Sequence, residues 1–356
     1  MSGRRRFSSK WMVNGVLLII CLVWIIPTLG LFISSFRLAD DIKRSGWWDV
    51  FPHRAWTETR TIALPEDTNL RSPITLEGVE TTDRELRQGI TLGDGQRAVW
   101  KDRGDRTVSV LEQRWTVNWK FTIDNYLDVL QDKGQSSSGQ RISGLSKAFV
   151  NTLTVSIPAT VIPIFIGIVA AYGFSWMTFP FKRILFGIVI ALLVVPLQVS
   201  LIPILNDFLK LGINGTILSI WIAHTGFGLP LSIYFMYNYV SQLPRDLFES
   251  ADIDGASHFT AFRQIVLPLS VPALASFGIF QFLWVWNDYL VSLIFLGSRP
   301  DNKVLSIYLS EMSGPYGNEW HLLTSSAFIS ILVPLLVFFL LQRYFVRGLM
   351  GGAVKG

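Results

Sequence analysis

The sequence predicts an all-α integral membrane protein with six transmembrane helices and one inserted, β-rich extracytoplasmic domain. Three observations carry that prediction. Half of the 356 residues are hydrophobic and 16% are charged, with a mean hydropathy of +0.40, whereas about a quarter of a soluble domain is charged. The apolar residues gather into runs long enough to cross a hydrocarbon core, which takes about 20 helical residues. A single long region, 37–147, is by contrast polar and rich in alternating or β-branched segments.

The first span is Met12–Ser35, which carries no Asp, Glu, Lys or Arg and follows a basic N-terminus, 1–11. It is too long for a signal-peptide core, and TLGLFISSFR offers no small-x-small cleavage site, so it is expected to remain as an anchor. Its Cys21 is the only cysteine, an apolar filler that can form neither an internal disulfide nor a cysteine-based metal site.

Region 37–147 is too long for a simple connection. TRTIAL, SPITLEG, QGITLGDG and RTVSVLEQRWTVNWKF, punctuated by Gly and Asp, predict a small β-rich domain over about Pro52–Val117. DKGQSSSGQRISG follows as a flexible linker by composition. Six tryptophans, Trp47, Trp48, Trp56, Trp100, Trp115 and Trp119, suit either core and membrane-interface positions or a sugar-stacking platform.

The remaining spans are about Ala148–Phe174, Ile184–Leu205, Thr216–Val240, Val271–Leu296 and Leu322–Gln342, within a transmembrane domain 148–342. Pro158, Pro163, Pro196, Pro203, Pro230 and Pro334 interrupt them, as Pro27 does the first, which fits a bundle lining a path or simple kinked packing. The one charge inside a predicted span is Asp288. With Asn287 it forms a polar pair that could hydrogen-bond a passing sugar, or be satisfied by water or a neighbouring helix near the outer boundary.

Lys and Arg in the short loops set the orientation. Arg4, Arg5, Arg6, Lys10, Lys182, Arg183, Arg245, Arg263, Arg343, Arg347 and Lys355 fall on one side, against Lys210, Arg299 and Lys303 on the other. Both termini, including the tail 343–356, are therefore expected in the cytoplasm, and 37–147 outside it. The net charge of +5 reflects this bias and not nucleic-acid binding.

No phosphate-binding loop, zinc-protease motif or nucleophile elbow occurs, and the four histidines are scattered. The sequence therefore predicts a protein that is not an enzyme, without metal or cofactor on this chain.

One cytoplasmic segment, 241–269, stands out. In ESADIDGASHFTAFRQIVLPL, Pro244 suits a first helical turn with Asp246 and Glu249 near its positive end. Leu247, Phe248 and Ala251 share one side, and Gly255 suits the left-handed position after a helix. Ser257 can cap a second short helix presenting Phe259, Phe262 and Ile265, which Leu267-Pro268 is expected to end. Such a knob needs a groove to cover its apolar side. Its acidic residues Asp246, Glu249, Asp252 and Asp254 disfavour an anionic leaflet and favour a protein partner.

Glu249-Ser250-Ala251, three residues, Gly255, nine residues, then Ile265-x-Leu267-Pro268 resembles the EAA loop of binding-protein-dependent ABC importer permeases, with Ser250 in place of the middle alanine as the one departure. FTIDNY, AAYGFSWMTFPFKR, VVPLQVSLIPIL, FLWVWNDYL and LLQRYFVRGLMGGAVKG extend the resemblance to the second permease subunit of maltose-type sugar importers. The start of the chain and its enlarged external region look most like the α-glucoside permeases of that group.

The resemblance implies the type I importer permease fold in a bacterial inner membrane. It implies as partners a second permease, a dimer of ATPase subunits that bind ATP and magnesium, and an external sugar-binding protein. Glu249, Ser250, Ala251, Gly255, Ile265, Leu267 and Pro268 would couple to the ATPase, and the tail Gly348–Gly356 would reach between the two ATPases. The loop Gly297–His321, with Gly314, Pro315 and Tyr316, would engage the binding protein. Two other classes are weighed against this reading. An ion-coupled sugar transporter would bury more ionisable groups, and a membrane-anchored sensor would need a cytoplasmic signalling module.

Overall fold

The computed structural model describes residues 3–65, 68–93, 95–131, 144–297, 299, 301–313 and 319–350, with backbone alone at 3–9 and 345–350. The chain divides into two compact units, Asp40–Phe121 and the remainder.

In chain order, helix α1 (Gly3–Ser35) contains the first span, Lys10–Ser35, and starts well before the predicted Met12. Helix α2 (Ala39–Arg44) leads into the smaller unit. There, β1 (His53–Ala63), β2 (Ile74–Leu76), β3 (Val79–Thr81), α3 (Asp83–Gln88), β4 (Ile90–Thr91), β5 (Arg97–Asp102) and β6 (Thr107–Thr116) follow. Helix α4 (Asp124–Leu130) returns to the larger unit and precedes α5 (Leu145–Trp176), α6 (Lys182–Leu192), α7 (Leu197–Lys210) and α8 (Ile217–Val240). Then come α9 (Arg245–Ile253), α10 (His258–Ala261), α11 (Leu267–Trp286), α12 (Leu290–Phe295), α13 (Leu305–Met312) and α14 (Trp320–Met350).

The smaller unit is a four-stranded antiparallel sheet in the order β1-β6-β5-β4, beside a β2-β3 hairpin. Glu77 and Gly78 turn that hairpin with positive φ at both positions, as a tight two-residue hairpin turn requires. Thr82 and Glu85 form a reciprocal capping box on α3, and the Thr82 hydroxyl and amide hold the Glu85 carboxyl below its usual range. Ile74, Leu76, Leu86, Leu92, Ala98, Val108 and Val110 make its core. The unit is wider than the predicted Pro52–Val117, because a 3₁₀ turn at Trp47–Val50 and the segment after β6 are stitched together: Asn118 N–H donates to Asp49 O at 2.9 Å and Trp119 Nε1 to Val50 O at 2.8 Å.

Among the described residues of the larger unit, five helices are long and apolar enough to cross a membrane. The predicted third span is a bent pair, α6 and α7, which reach that length only together and meet at 103°. Pro196 caps α7 at the break, where its ring favours extended backbone in the residue before it. The predicted fifth span is also revised. Helix α11 stops at Trp286, and α12 is a separate short helix, so Asn287 and Asp288 occupy the break between them. The predicted external loop Gly297–His321 contains α13, whose Leu305, Ile307, Tyr308 and Met312 are buried.

Between membrane helices water offers no driving force, so close approach of small residues matters most. Ala148, Thr152, Ser156, Ala159, Gly167 and Ala171 are small residues among those α5 buries, and the helix packs along α8. At the tightest crossing a Cβ on Gly167 would lie 2.1 Å from Ser232 Oγ.

The prolines resolve into kinked packing at three places. A proline frees the carbonyl four residues earlier. Pro158 frees Thr154 O, which accepts Trp221 Nε1–H at 2.9 Å; Pro163 frees Ala159 O, which accepts Gln281 Nε2–H at 3.2 Å; Pro334 frees Ser330 O, which accepts Trp286 Nε1–H at 3.1 Å. In each case a neighbouring helix supplies the donor that the apolar interior lacks.

FTIDNY forms a clamp on the end of α1. Thr122 N–H donates to Phe36 O at 2.7 Å, and Asn125 Nδ2 donates to both Ser35 O and Arg37 O. Tyr126 Oη lies 2.6 Å from Ser35 Oγ.

Candidate functional site

The segment 241–269 folds as a helix, a turn and a second helix at one end of the bundle. Helix α9 follows Pro244, with Asp246 in its first turn. Its end is a Schellman motif: Gly255 N–H donates to Asp252 O at 3.1 Å and Ala256 N–H to Ala251 O at 2.9 Å. Gly255 has φ +70°, the left-handed value expected of it. Ser257 then caps the next helix by accepting Thr260 N–H at 3.2 Å.

That second helix does not stop at Leu267-Pro268. Residues Phe262–Val266 form one π-helical turn in which Leu267 N–H reaches back to Phe262 O, and the chain runs on as α11. The extra residue in the turn shifts the backbone ahead of Pro268, so the ring does not meet the carbonyl that would block a regular helix. The knob is therefore continuous with a membrane-length helix, His258–Trp286.

It is rooted by aromatic contacts. Phe248 is buried and stacks on Trp176, the last residue of α5, at 3.7 Å between centroids and 17° between planes. Trp176 Nε1 donates to Val240 O at the end of α8. Tyr172 Oη lies 3.0 Å from His258 Nδ1. Ile265 and Leu267 pack against the cluster that includes Ile168, Met236 and Val266. Of the expected coupling residues, Glu249, Ser250, Gly255 and Pro268 are exposed, Ala251 is half-buried, and Ile265 and Leu267 root the knob in its own bundle.

On α9 and α10 the apolar side chains that remain uncovered are Leu247, Ile253 and Phe259, with Ile253 86% and Phe259 70% exposed. Ile253 was missed in the sequence, where it reads as one apolar residue between two acids; its signal is its place one turn after Glu249. Beside these, Ser175, Ser241, Arg245, Glu249 and Asp252 line a polar cleft of about 320 Å³ against Trp176 and Phe248. Exposed apolar anchors ringed by Asp246, Glu249, Asp252 and Asp254 make a surface that a basic-rimmed groove would fit.

Asn287 and Asp288 do not form one site. Asn287 is exposed, and its amide donates to Leu283 O at 2.8 Å. Asp288 turns inward: Oδ2 accepts Ser292 N–H at 3.0 Å, capping α12, and lies 3.7 Å from Nε2 of the fully buried His224. Its carbonyl accepts the Ser306 hydroxyl from α13. The aspartate thus joins α8, α12 and α13. For the permease that the motif resemblance implies, Asp288→Asn, which keeps an oxygen for the cap, is expected to assemble and transport nearly normally. Asp288→Ala, which removes the cap at about 1 kcal/mol, should lower the yield of assembled protein. Uptake per assembled complex checks this: an Asn variant that assembles fully and does not transport would require the charge itself.

A larger, mainly apolar cavity of about 480 Å³ runs between the bent pair and α8, past Phe208, Phe227 and Trp284. Neither Asn287 nor Asp288 lines it. Among the described residues no group of three or more His, Cys, Asp or Glu is arranged to hold a metal. Gly314, Pro315 and Tyr316 lie outside the described residues, as does the tail beyond Met350.

Membrane-length helices around small-residue contacts, with an acidic two-helix knob continuous with one of them, define a polytopic membrane protein with an exposed helical projection at one end of its bundle. The chain belongs to the family of binding-protein-dependent transport system inner membrane components, which matches residues 163–351. It is a non-catalytic permease subunit of an ABC importer, as the resemblance of its motifs implied, and the ion-coupled and sensor classes are set aside. It is 43% identical to the osmoprotective compounds uptake permease protein GgtD of Synechocystis sp., over 99% of this chain and 94% of that one. It is 42% identical to the alpha-glucoside transport system permease protein AglG of Rhizobium meliloti over the full length of both. A crystal structure of a bacterial ABC transporter involved in alginate import has the same fold, with a TM-score of 0.62 at 17% identity, covering 97% of this chain and 99% of that one.

Proposed function

We propose that this chain is one of two permease halves of an importer for an α-glucoside of the sucrose, maltose or trehalose type. The observation that carries the substrate class is the end-to-end likeness to an alpha-glucoside permease, which includes the insert. The partners are a second permease, a pair of ATPase subunits that bind ATP and magnesium, and an external sugar-binding protein. Both termini and the knob face the cytoplasm, as the Lys and Arg bias argues.

The exposed Leu247, Ile253 and Phe259 seat in a groove of the ATPase, and Glu249 meets a basic side chain at its rim. Closure of the ATPase pair on ATP moves the knob. Because Phe248 is stacked on Trp176 and the second helix runs into α11, that movement tilts α5 and α11 together. ATP-driven alternation between inward- and outward-open states then rests on the knob's different contacts in the two. Gly314, Pro315 and Tyr316 contact the binding protein, and the tail Gly348–Gly356 reaches between the ATPases.

A second reading, uptake of an osmoprotective compound that is not an α-glucoside, is favoured by the likeness to the osmoprotective compounds uptake permease GgtD. Substrate-stimulated ATPase activity of the reconstituted complex, measured with α-glucosides and with non-sugar osmoprotectants, separates the two. Stimulation by α-glucosides alone is expected; a response only to non-sugar solutes replaces the first reading with the second. In a background lacking Cys21, Ser72→Cys should react with an impermeant thiol reagent in intact cells and Gln242→Cys only after permeabilisation. The reverse pattern would invert the orientation.

A further inference from the structure

In the smaller unit the most exposed aromatic residues are segregated, while Trp56, further along β1, is 42% exposed. Trp48, Phe51, Trp115, Trp119 and Phe121 are 50–71% exposed, and none belongs to the core of Ile74, Leu86, Val108 and Val110. They lie at one end of the sheet. The first residue of β1 pairs with the last of β6, His53 with Thr116. Trp48 and Phe51 precede that pair, and Trp119 and Phe121 follow it. The bonds from Asn118 to Asp49 and from Trp119 to Val50 hold the two flanks together. Of the six tryptophans, for which the sequence suits core and membrane-interface positions or a sugar-stacking platform, Trp100 is the one packed on the core.

This is also the end at which the chain leaves the unit. Lys10–Ser35 at 1.5 Å per residue measures about 39 Å, more than the roughly 30 Å hydrocarbon core, so Ser35 is at the membrane boundary. Thr122 is hydrogen-bonded one residue beyond it, to Phe36 O. Trp119 is three residues from Thr122, and a fully extended chain of that length reaches about 11 Å. The headgroup layer on each face is about 5–8 Å deep, and an indole adds several ångströms more. Connectivity alone therefore keeps these rings within reach of the lipid interface, whatever the unit's orientation.

We propose that Trp48, Phe51, Trp115, Trp119 and Phe121 form an interfacial anchor that seats this end of the inserted unit in the headgroup layer of the bilayer. Indole and phenyl rings favour that layer, where one side of the group is apolar and the other wet. A sugar platform fits less well, because the Arg54 guanidinium already lies over the Trp115 ring, 5.7 Å from its centroid. The same arginine is placed to meet a lipid phosphate beside the ring. The proposal goes beyond the transport reading and depends only on α1 crossing the membrane.

The test uses the complete complex in lipid nanodiscs, with Cys21→Ser and a single nitroxide-labelled cysteine at Val117 or Lys120, which leaves every ring in place. The control is Asp105→Cys, in the β5-β6 turn. Power saturation with oxygen and with a water-soluble nickel chelate should give an oxygen-to-nickel accessibility ratio several-fold higher at Val117 and Lys120 than at Asp105. The triple variant Trp48→Ser/Trp115→Ser/Trp119→Ser should bring the Lys120 ratio down towards the control with assembly unchanged. Equal ratios at all three labels overturn the proposal. So does shielding that appears only on addition of the binding protein or of sugar, which would assign the patch to that ligand.

Discussion

In Gly255→Val, uptake is expected to fall to background while the protein still inserts and the ATPase co-purifies poorly. Gly255 has φ +70°, and no atom outside its immediate neighbours lies within 4 Å of where a Cβ would stand. Nothing in the bundle resists the added side chain, so the damage is confined to the turn and to whatever packs against it. A β-branched residue held left-handed costs about 1–2 kcal/mol, and each 1.4 kcal/mol is about tenfold in an equilibrium. Gly255→Asn separates the two causes. Asparagine visits the left-handed region readily, so it should recover a substantial part of the uptake if turn strain dominates. ATPase co-purification and uptake on equal amounts of inserted protein decide the matter. Normal transport by the valine variant, with ATPase bound, would remove the knob from the coupling mechanism.

The other large effect lies inside the membrane. Gly167→Leu is expected to prevent assembly, because its Cβ would stand 2.1 Å from Ser232 Oγ, 2.8 Å from Ser232 Cβ and 3.1 Å from the Ser232 backbone carbon. The last of these cannot rotate away, so α5 must move off α8 along the most extensively packed pair of the bundle. Overpacking of a tight contact costs about 1–3 kcal/mol, and helix pairs in lipid rely on such contacts. Gly167→Ala with Ser232→Gly should recover part of the assembled yield, read by size-exclusion chromatography of the purified complex. Gly173→Leu, where a Cβ meets nothing within 4 Å, is the matched control and should assemble.

What was legible in the sequence was whatever depends on neighbours in the chain. The cap at Ser257, the left-handed Gly255 and the start of α9 after Pro244 each follow from the local needs of a helix end, and each is where it was expected. The spans were legible as apolar runs because lipid imposes their length. Two kinds of cause lie behind the misses: an irregular local turn at Pro268, and elsewhere a distant partner that changed a local outcome. Pro268 reads as a stop, but one π-helical turn absorbs it. FLWVWNDYL reads as part of one continuous span, whereas Asp288 caps a new helix and faces His224, 64 positions away in the chain. Phe248 reads as partner-facing, yet Trp176 covers it. The donors for the three freed carbonyls, Trp221, Gln281 and Trp286, read as generic span residues until the helices are assembled.

The clamp at the end of α1 bears on how this chain reaches its fold. Closing a long loop normally carries an entropy that rises with its length, about 0.6 kcal/mol for each doubling. Here the excursion from Asp40 to Phe121 closes on itself through the β1-β6 ladder and the bonds at Asp49 and Val50. Once that unit has folded, the residues that must meet, Phe36 and Thr122, are joined by a closed piece instead of a long coil. To the helices still being assembled, a segment of this size then counts as little more than a turn. The contacts between α1 and α14 can accordingly form as readily as in a chain that never carried the insertion.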